Sequence, residues 1–176
     1  IMYSSDDFGQ GGFEVISGLL EEAGIEFVGE PHNTLDTDYY STLLKMQSAG
    51  CDALVVWTGA TPAPIIIRQI NELALNSEME IYFAQCLGSS AVHSALESTD
   101  LLDGMYTVQE TFLDTNNEEM VAFAELCEER GVYASDAATR NYINVAQFMM
   151  NVLERAEDPT DRESVKASLE ATKDQA

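Results

Sequence analysis

Three short polar stretches hold the side chains with the most chemistry to offer. The first is Asp6-Asp7-Phe8-Gly9-Gln10-Gly11-Gly12. It stands just ahead of a helical pattern, where the free N–H groups of a helix N-terminus can hold a carboxylate or phosphate. The same glycines also suit a plain tight turn. Their spacing matches neither the dinucleotide pattern G-x-G-x-x-G nor the phosphate-binding G-x-x-x-x-G-K. Phe8 reads as a stacking wall or as a buried staple. The second stretch, Trp57-Thr58-Gly59-Ala60-Thr61-Pro62, offers hydroxyls, backbone N–H groups and the chain's single tryptophan. Its indole either lines a pocket or packs in the core. The third, Gln85-Cys86-Leu87-Gly88-Ser89-Ser90, adds an amide and small polar groups, with Ser89 read as a helix cap.

Catalysis finds little support in these residues. Cys86 and His93 would be the nucleophile and base of a thiol hydrolase. They stand seven residues apart across a loop and a helix, with no carboxylate to orient the imidazole. Asp6-Asp7 after a first strand would suit a phosphoacceptor site. That site also needs an aspartate ending the third strand and a lysine ending the fifth, where this chain has Trp57-Thr58 and Gln109-Glu110. No D-x-D-x-D-G calcium loop occurs. Cys51, Cys86 and Cys127 form neither a disulfide framework nor a zinc spacing. No catalytic residue, metal ligand or cofactor is expected.

The elements that must position the three stretches alternate in type. Ile1–Ser4 reads as the end of a buried strand, and a start inside a strand suggests a fragment. Phe13, Ile16, Leu19, Leu20 and Ala23 recur at helical spacing up to Gly24. Ile25–Gly29 reads as a strand and Asp38–Ala49 as a helix, with Tyr40, Leu43, Leu44 and Gln47 on one side. Ala53–Trp57 is apolar throughout, as expected for a parallel strand covered on both faces. Pro62 and Pro64 open a helix running through Ile65–Leu75. Glu80–Ala84, Ser89–Leu96 and Met105–Glu110 read as strand, helix and strand. Ala23-Gly24-Ile25-Glu26 and Ala49-Gly50-Cys51-Asp52 look like one helix-to-strand turn used twice. This alternation predicts an α/β fold, a flavodoxin-like parallel sheet with helices on both faces. Strands then stop. Thr115-x-x-Glu118 opens a helix to Arg130 with Met120, Phe123, Ala124 and Cys127 as its stripe. A second runs over Asp136–Glu157, its face built on Tyr142, Val145, Ala146, Met149, Val152 and Leu153. Thr160-x-x-Glu163 opens a third, with Val165 and Leu169 inward. The expected division is an α/β lobe over 1–112 and a helical segment over 113–176.

Composition narrows the partners. The chain of 176 residues has 31 acidic and 8 basic side chains, a formal charge of −23. That charge opposes nucleic acid and anionic membranes, and no apolar run approaches the roughly 20 residues that span a bilayer. The acidity suits solubility or a high-salt habitat.

The order and spacing of several motifs together carry a family resemblance. They are Asp6-Asp7-Phe8-Gly9-Gln10-Gly11, then Leu35-Asp36-Thr37-Asp38-Tyr39-Tyr40-Ser41-Thr42-Leu43-Leu44, then Gln47-Ser48-Ala49-Gly50-Cys51-Asp52-Ala53-Leu54-Val55-Val56, and Gly131-Val132-Tyr133 ahead of Asn141-Tyr142. Along nearly its whole length the chain resembles the type I periplasmic binding proteins of the branched-chain amino acid (leucine/isoleucine/valine) transporter family. The resemblance implies a second lobe lacking its opening residues, plus helices that would pack on an absent first lobe. Those helices would then pack on the α/β module in a new way or drive self-association. It implies an extracytoplasmic protein, periplasmic or a cell-surface lipoprotein, that binds a small-molecule ligand between two lobes. It would serve the membrane permease of an ABC importer; the alternative is a ligand-sensing domain of a receptor or regulator. By this resemblance Phe8 packs on the ligand, and Gly59 and Ala60 line the cleft. The expected ligand-binding residues are Phe8, Gly9, Trp57, Thr58, Gly59, Ala60, Gln85, Cys86 and Leu87. The family usually places a carboxylate after the fourth strand to pair with an amino acid's ammonium group. Ala84–Ser90 contain none, which implies a less polar ligand, an aromatic or aliphatic acid.

Overall fold

A computed structural model describes residues 1–109, 116, 118–132 and 137–172. It contains two compact units, Ile1–Gln109 and Glu110–Ala176. The expected boundary at 112/113 lies outside the described residues.

The first unit is a five-stranded parallel sheet in the order β2-β1-β3-β4-β5. The strands are β1 (Met2–Ser4), β2 (Glu30–His32), β3 (Ala53–Trp57), β4 (Glu80–Phe83) and β5 (Met105–Thr107). Between them run α1 (Asp7–Glu22), α2 (Tyr40–Ser48), α3 (Ala63–Glu72) and α4 (Ser90–Leu96). Side chains alternate across a strand. Met2, Leu54, Val56, Ile81 and Phe83 therefore share one face, where they bury Leu43 and Met46 of α2, Ile66, Ile67 and Ile70 of α3, and Val92 and Leu96 of α4. The opposite face carries α1, whose Phe13 stacks on Tyr3 at 4.3 Å. Helices on both faces of a parallel sheet make this the expected flavodoxin-like α/β lobe.

Several boundaries differ from the sequence reading, each for a physical reason. The glycine-rich stretch is not a turn. Asp6 caps α1 by accepting from the Gly9 N–H at 2.9 Å, so Phe8 to Gly12 are already helical. The second strand is Glu30–His32, not Ile25–Gly29. Pairing on β1 can start only where β1 starts, with Met2 opposite Glu30. Pro31 is tolerated because β2 is an edge strand. β3 matches its expected span, but only Leu54 and Val56 are buried, while Val55 and Trp57 are half-buried. The buried side of α2 is Tyr39, Leu43 and Met46, with Leu44 exposed. α3 stops at Glu72, because Ala74 turns left-handed and Leu75–Ser77 form a 3-10 helix. β5 ends at Thr107; Glu110 lies outside the described residues. The repeated junction is real: Gly24 and Gly50 follow α1 and α2 with φ of +69° and +70°, a conformation glycine adopts at little steric penalty.

The second unit contains α5 (Glu118–Glu129), α6 (Ala137–Arg155) and α7 (Arg162–Ala171). Thr115 of the expected capping box lies outside the described residues. Gly131, with φ of +71°, follows α5. The Ser168 hydroxyl donates to the carbonyl of the buried Val152 at 2.8 Å, tying α7 to α6. α7 is capped by Asp161, which accepts from the Ser164 N–H, and not by Thr160, whose hydroxyl donates to Asp158. Leu169, expected inward, is 40% exposed. Tyr142, Val145 and Met150 of α6 stay largely open to solvent.

Candidate functional site

β1 has β2 on one side and β3 on the other, so the chain leaves β1 for one edge and returns across it. In open parallel sheets, ligands bind outside the carboxyl ends of the strands where the order reverses like this. Tyr3 is in register with Trp57. Residues after Ser4 and after Trp57 therefore leave the sheet side by side. There a cleft of about 370 Å³ opens between Asp6, Phe8, Thr34, Leu35, Gly59, Thr61 and Pro62.

Each wall has a local cause. The Asp6 carboxylate accepts from the Ser4 hydroxyl at 2.6 Å and from the Gly9 N–H. These two bonds, the serine's first, hold its pKa below the usual carboxylate value. A Cβ on Gly9 would overlap the Ser4 carbonyl oxygen, so only glycine lets α1 start this close to β1. A Cβ on Gly12 would overlap the Trp57 indole, so glycine there lets the ring approach the helix backbone closely. Phe8, 41% exposed, stacks on Trp57 with centroids 5.7 Å apart and planes at 25°. The facing wall, Thr34 and Leu35, belongs to a loop closed by Tyr39, whose hydroxyl lies 2.8 Å from the Asp36 carbonyl and 3.1 Å from that of Asn33. Tyr39 meets His32 edge-on at 5.2 Å. Burial pushes the His32 pKa down, opposed by the Asn33 carbonyl and by Asp36 and Asp6.

The expected site residues separate into groups. Phe8 and Gly59 line the cleft, and Trp57 backs Phe8. Gly9 lies buried beneath the helix start. Thr58 is buried at the end of β3 with no partner for its hydroxyl. Ala60 packs against the core. Gln85 stands at the end of β4, its carbonyl accepting from the Gln109 amide at 2.9 Å. Cys86 and Leu87 are buried. Their stretch folds as a 3-10 helix over Gln85–Gly88 that turns both side chains into the core. Burial raises the Cys86 thiol to about 12, so no thiolate forms near neutral pH. The His93 imidazole instead lies 2.6 Å from the Leu87 carbonyl. Ser89 caps α4, accepting from the Ala91 N–H.

The expected ligand-binding residues did not include Thr34, Leu35, His32 and Gln109, nor Thr61, which stands in the second polar stretch. Their signal was position alone, since all follow or end a strand. Among the described residues, four buried side-chain polar atoms lack a hydrogen-bond partner within the protein: His32 Nε2, Trp57 Nε1, Thr58 Oγ1 and Gln109 Oε1. All lie at or within two residues of a strand's carboxyl end. Unpaired buried side-chain polar atoms are uncommon in folded proteins, and each calls for a partner such as water or a ligand, or for strain. The cleft has one ionised lining group, Asp6. No lysine or arginine precedes Lys45, and none lies between Lys45 and Arg68.

Comparison with known proteins adds the following. A family model described as periplasmic binding protein matches residues 1–176. No curated protein matches the chain. A periplasmic binding protein type 1 from Bordetella pertussis Tohama I superposes with a TM-score of 0.83 at 14% identity, over 99% of this chain and 50% of its own. A fatty acid ABC transporter substrate-binding protein from Thermomonospora curvata gives 0.80 at 17% identity, over 96% and 44%. An ABC transporter solute-binding protein from R. palustris, in complex with 4-hydroxybenzoate, gives 0.75 at 14%, over 95% and 46%. The chain thus spans about half the length of the solved structures it matches.

Proposed function

The chain belongs to the periplasmic binding protein family, and on that premise we propose that its first unit forms one wall of a solute-binding cleft. The whole protein would bind a small ligand by hinge closure between two lobes, without catalysis, and deliver it to the permease of an ABC importer. The family is extracytoplasmic. Residence in the periplasm or as a cell-surface lipoprotein is part of the proposal, as is the finer kinship with the branched-chain amino acid branch. Residues 113–176 would pack on the other lobe. One observation carries the reading: the stacked Phe8–Trp57 pair sits beside a cleft at the switch point of the sheet. Cys86, protonated and turned inward, argues against thiol chemistry there.

The ligand is proposed to be an aromatic or aliphatic acid that presents its apolar part to this unit. Phe8 and Trp57 offer a flat apolar surface, and no lysine or arginine lines the cleft to pair with an acid group. The acid group would meet the other lobe. Native mass spectrometry of the full-length protein as purified should find a retained small molecule of this kind. Calorimetry should then show Phe8→Ala and Trp57→Ala each weakening it about five- to tenfold, roughly 1–1.4 kcal/mol. Tight leucine binding, or affinity indifferent to both substitutions, would sink the ligand assignment.

A further inference from the structure

The cleft has a floor, and strand register sets it. Ser4 of β1 is opposite His32 of β2. One step past the Tyr3–Trp57 pair, Thr58 comes opposite Ser4 on the other side. Alternation puts Ser4 and Thr58 on the face of Met2 and Val56, and His32 joins them there against Tyr39. Along that face the strands are apolar up to this row and polar at it. The loops after β2 and β3 run to α2 and α3, whereas the loop after β1 runs to α1 on the opposite face. The three loops therefore part at the end of this row. Thr34, Asp6 and Gly59, one or two residues further on, line the cleft. Ser4, His32 and Thr58 themselves are 0%, 4% and 1% exposed.

This floor consists almost wholly of acceptors. The Asn33 carbonyl, 3.3 Å from His32 Nδ1, can only accept, so Nδ1 carries the ring proton. His32 Nε2 is then an acceptor, and it has no partner. Burial pushes the His32 pKa below 6.5, which keeps the ring neutral near neutral pH. The Ser4 hydroxyl proton already goes to Asp6, so the serine oxygen can only accept. Both bonds to Asp6, from Ser4 and from the Gly9 N–H, end on Oδ1, and the lone pairs of Oδ2 are open to a further donor. Thr58 alone can also give a proton, and its hydroxyl is unpartnered. A ligand carboxylate at this floor would meet acceptors and the Asp6 charge. An ammonium group would stand at the amino end of α1, whose partial positive charge repels it. A neutral hydroxyl meets neither objection: its proton goes to an acceptor, and its oxygen accepts from Thr58. Resting on the reading of this unit as one wall of a solute-binding cleft, we propose that the row His32–Ser4–Thr58, beside Asp6, is a hydroxyl subsite. The apolar part of the acid ligand then ends in a hydroxyl group that this floor binds, and His32, Thr58 and Asp6 select for it.

Two matched pairs of probes test this by calorimetry on the full-length protein: benzoate against para-hydroxybenzoate, and hexanoate against ω-hydroxyhexanoate. In at least one pair the hydroxy acid should bind about tenfold tighter than its parent. Asp6→Asn still caps α1, and Thr58→Val keeps the side-chain volume. Each should remove most of that preference and leave the parent acid's affinity within about twofold. In the unsubstituted protein, the nitrogen NMR resonance of His32 Nε2 should move with the hydroxy acid and stay in place with its parent. Equal or reversed affinity within the pairs overturns this proposal alone and leaves the acid-ligand reading standing. So does a preference that survives both substitutions, or a His32 resonance that moves alike for both members of a pair. Binding of none of the four probes sinks the acid-ligand reading itself, and the hydroxyl subsite with it.

Discussion

Gly9 and Gly11 lie two residues apart in α1 and should respond to alanine in opposite directions. A methyl at Gly9 meets the backbone of Ser4, which cannot rotate away. Overpacking of this kind costs about 1–3 kcal/mol. At Gly11 a methyl meets nothing within 4 Å, so Gly11→Ala should stabilise the helix by about 0.5–1 kcal/mol. Urea denaturation of both variants checks the pair; equal effects would contradict the close approach. His32 offers a pH test. Its folded pKa lies below the unfolded value of 6.5, so the unfolded chain binds the proton more readily. The resulting stability is fully present above about pH 6.5 and is lost as pH falls towards the lowered folded value. The urea midpoint should drop across that window and flatten in His32→Gln. Asp6 follows the same sign lower down: its contribution holds above about 3.8 and fades as pH falls through its lowered value. At this scale the sequence showed which side chains had chemistry, but not which way they point. The placing of Phe8 and Trp57 at strand ends was legible, because each follows or ends an apolar strand. The burial of Cys86 and Leu87 was not, because no local pattern announces the 3-10 helix on which they stand.

Between elements, one buried amide does much of the positioning. Gln69 of α3 accepts from the Tyr39 N–H at 2.8 Å, joining α3 to the start of α2. It is 7% exposed. Gln69→Met keeps the volume but leaves that N–H without its acceptor, at a cost of about 1–3 kcal/mol. Because Tyr39 closes the loop that carries Thr34 and Leu35, the same variant should loosen the cleft wall, seen as faster amide exchange over residues 33–38. Gln69→Glu keeps an acceptor and should lose less. No sequence pattern pairs residues 39 and 69. β3 was legible to the residue because its apolar run is bounded by Gly50 and Gly59. β2 was not, because Ile25–Val28 is as strand-like as Glu30–His32, and the choice is made by where the neighbouring strand lies.

For the whole molecule, charge and apolar surface act against each other. Tyr142 and Val145 of α6 are 75% and 59% exposed, beside a net charge of −23. We propose that these helical faces drive self-association of this chain and that like charge opposes it. Screening shortens the range of that repulsion, so light scattering should show larger species as salt rises from low to molar concentration. A monomer at every salt concentration, with no hydrophobic dye bound, would refute this. The alternation of strands and helices made the lobe legible from the sequence, because each crossover obeys local chain geometry.

Trp57 is the single tryptophan in 176 residues, seated between Phe8 and Gly12 at the edge of the cleft. Indole emission from these 176 residues therefore originates at one place, next to the proposed ligand. A molecule entering the proposed cleft would change the polarity around that ring, so occupancy would become an optical signal of this chain, read as a shift in emission wavelength without any attached label.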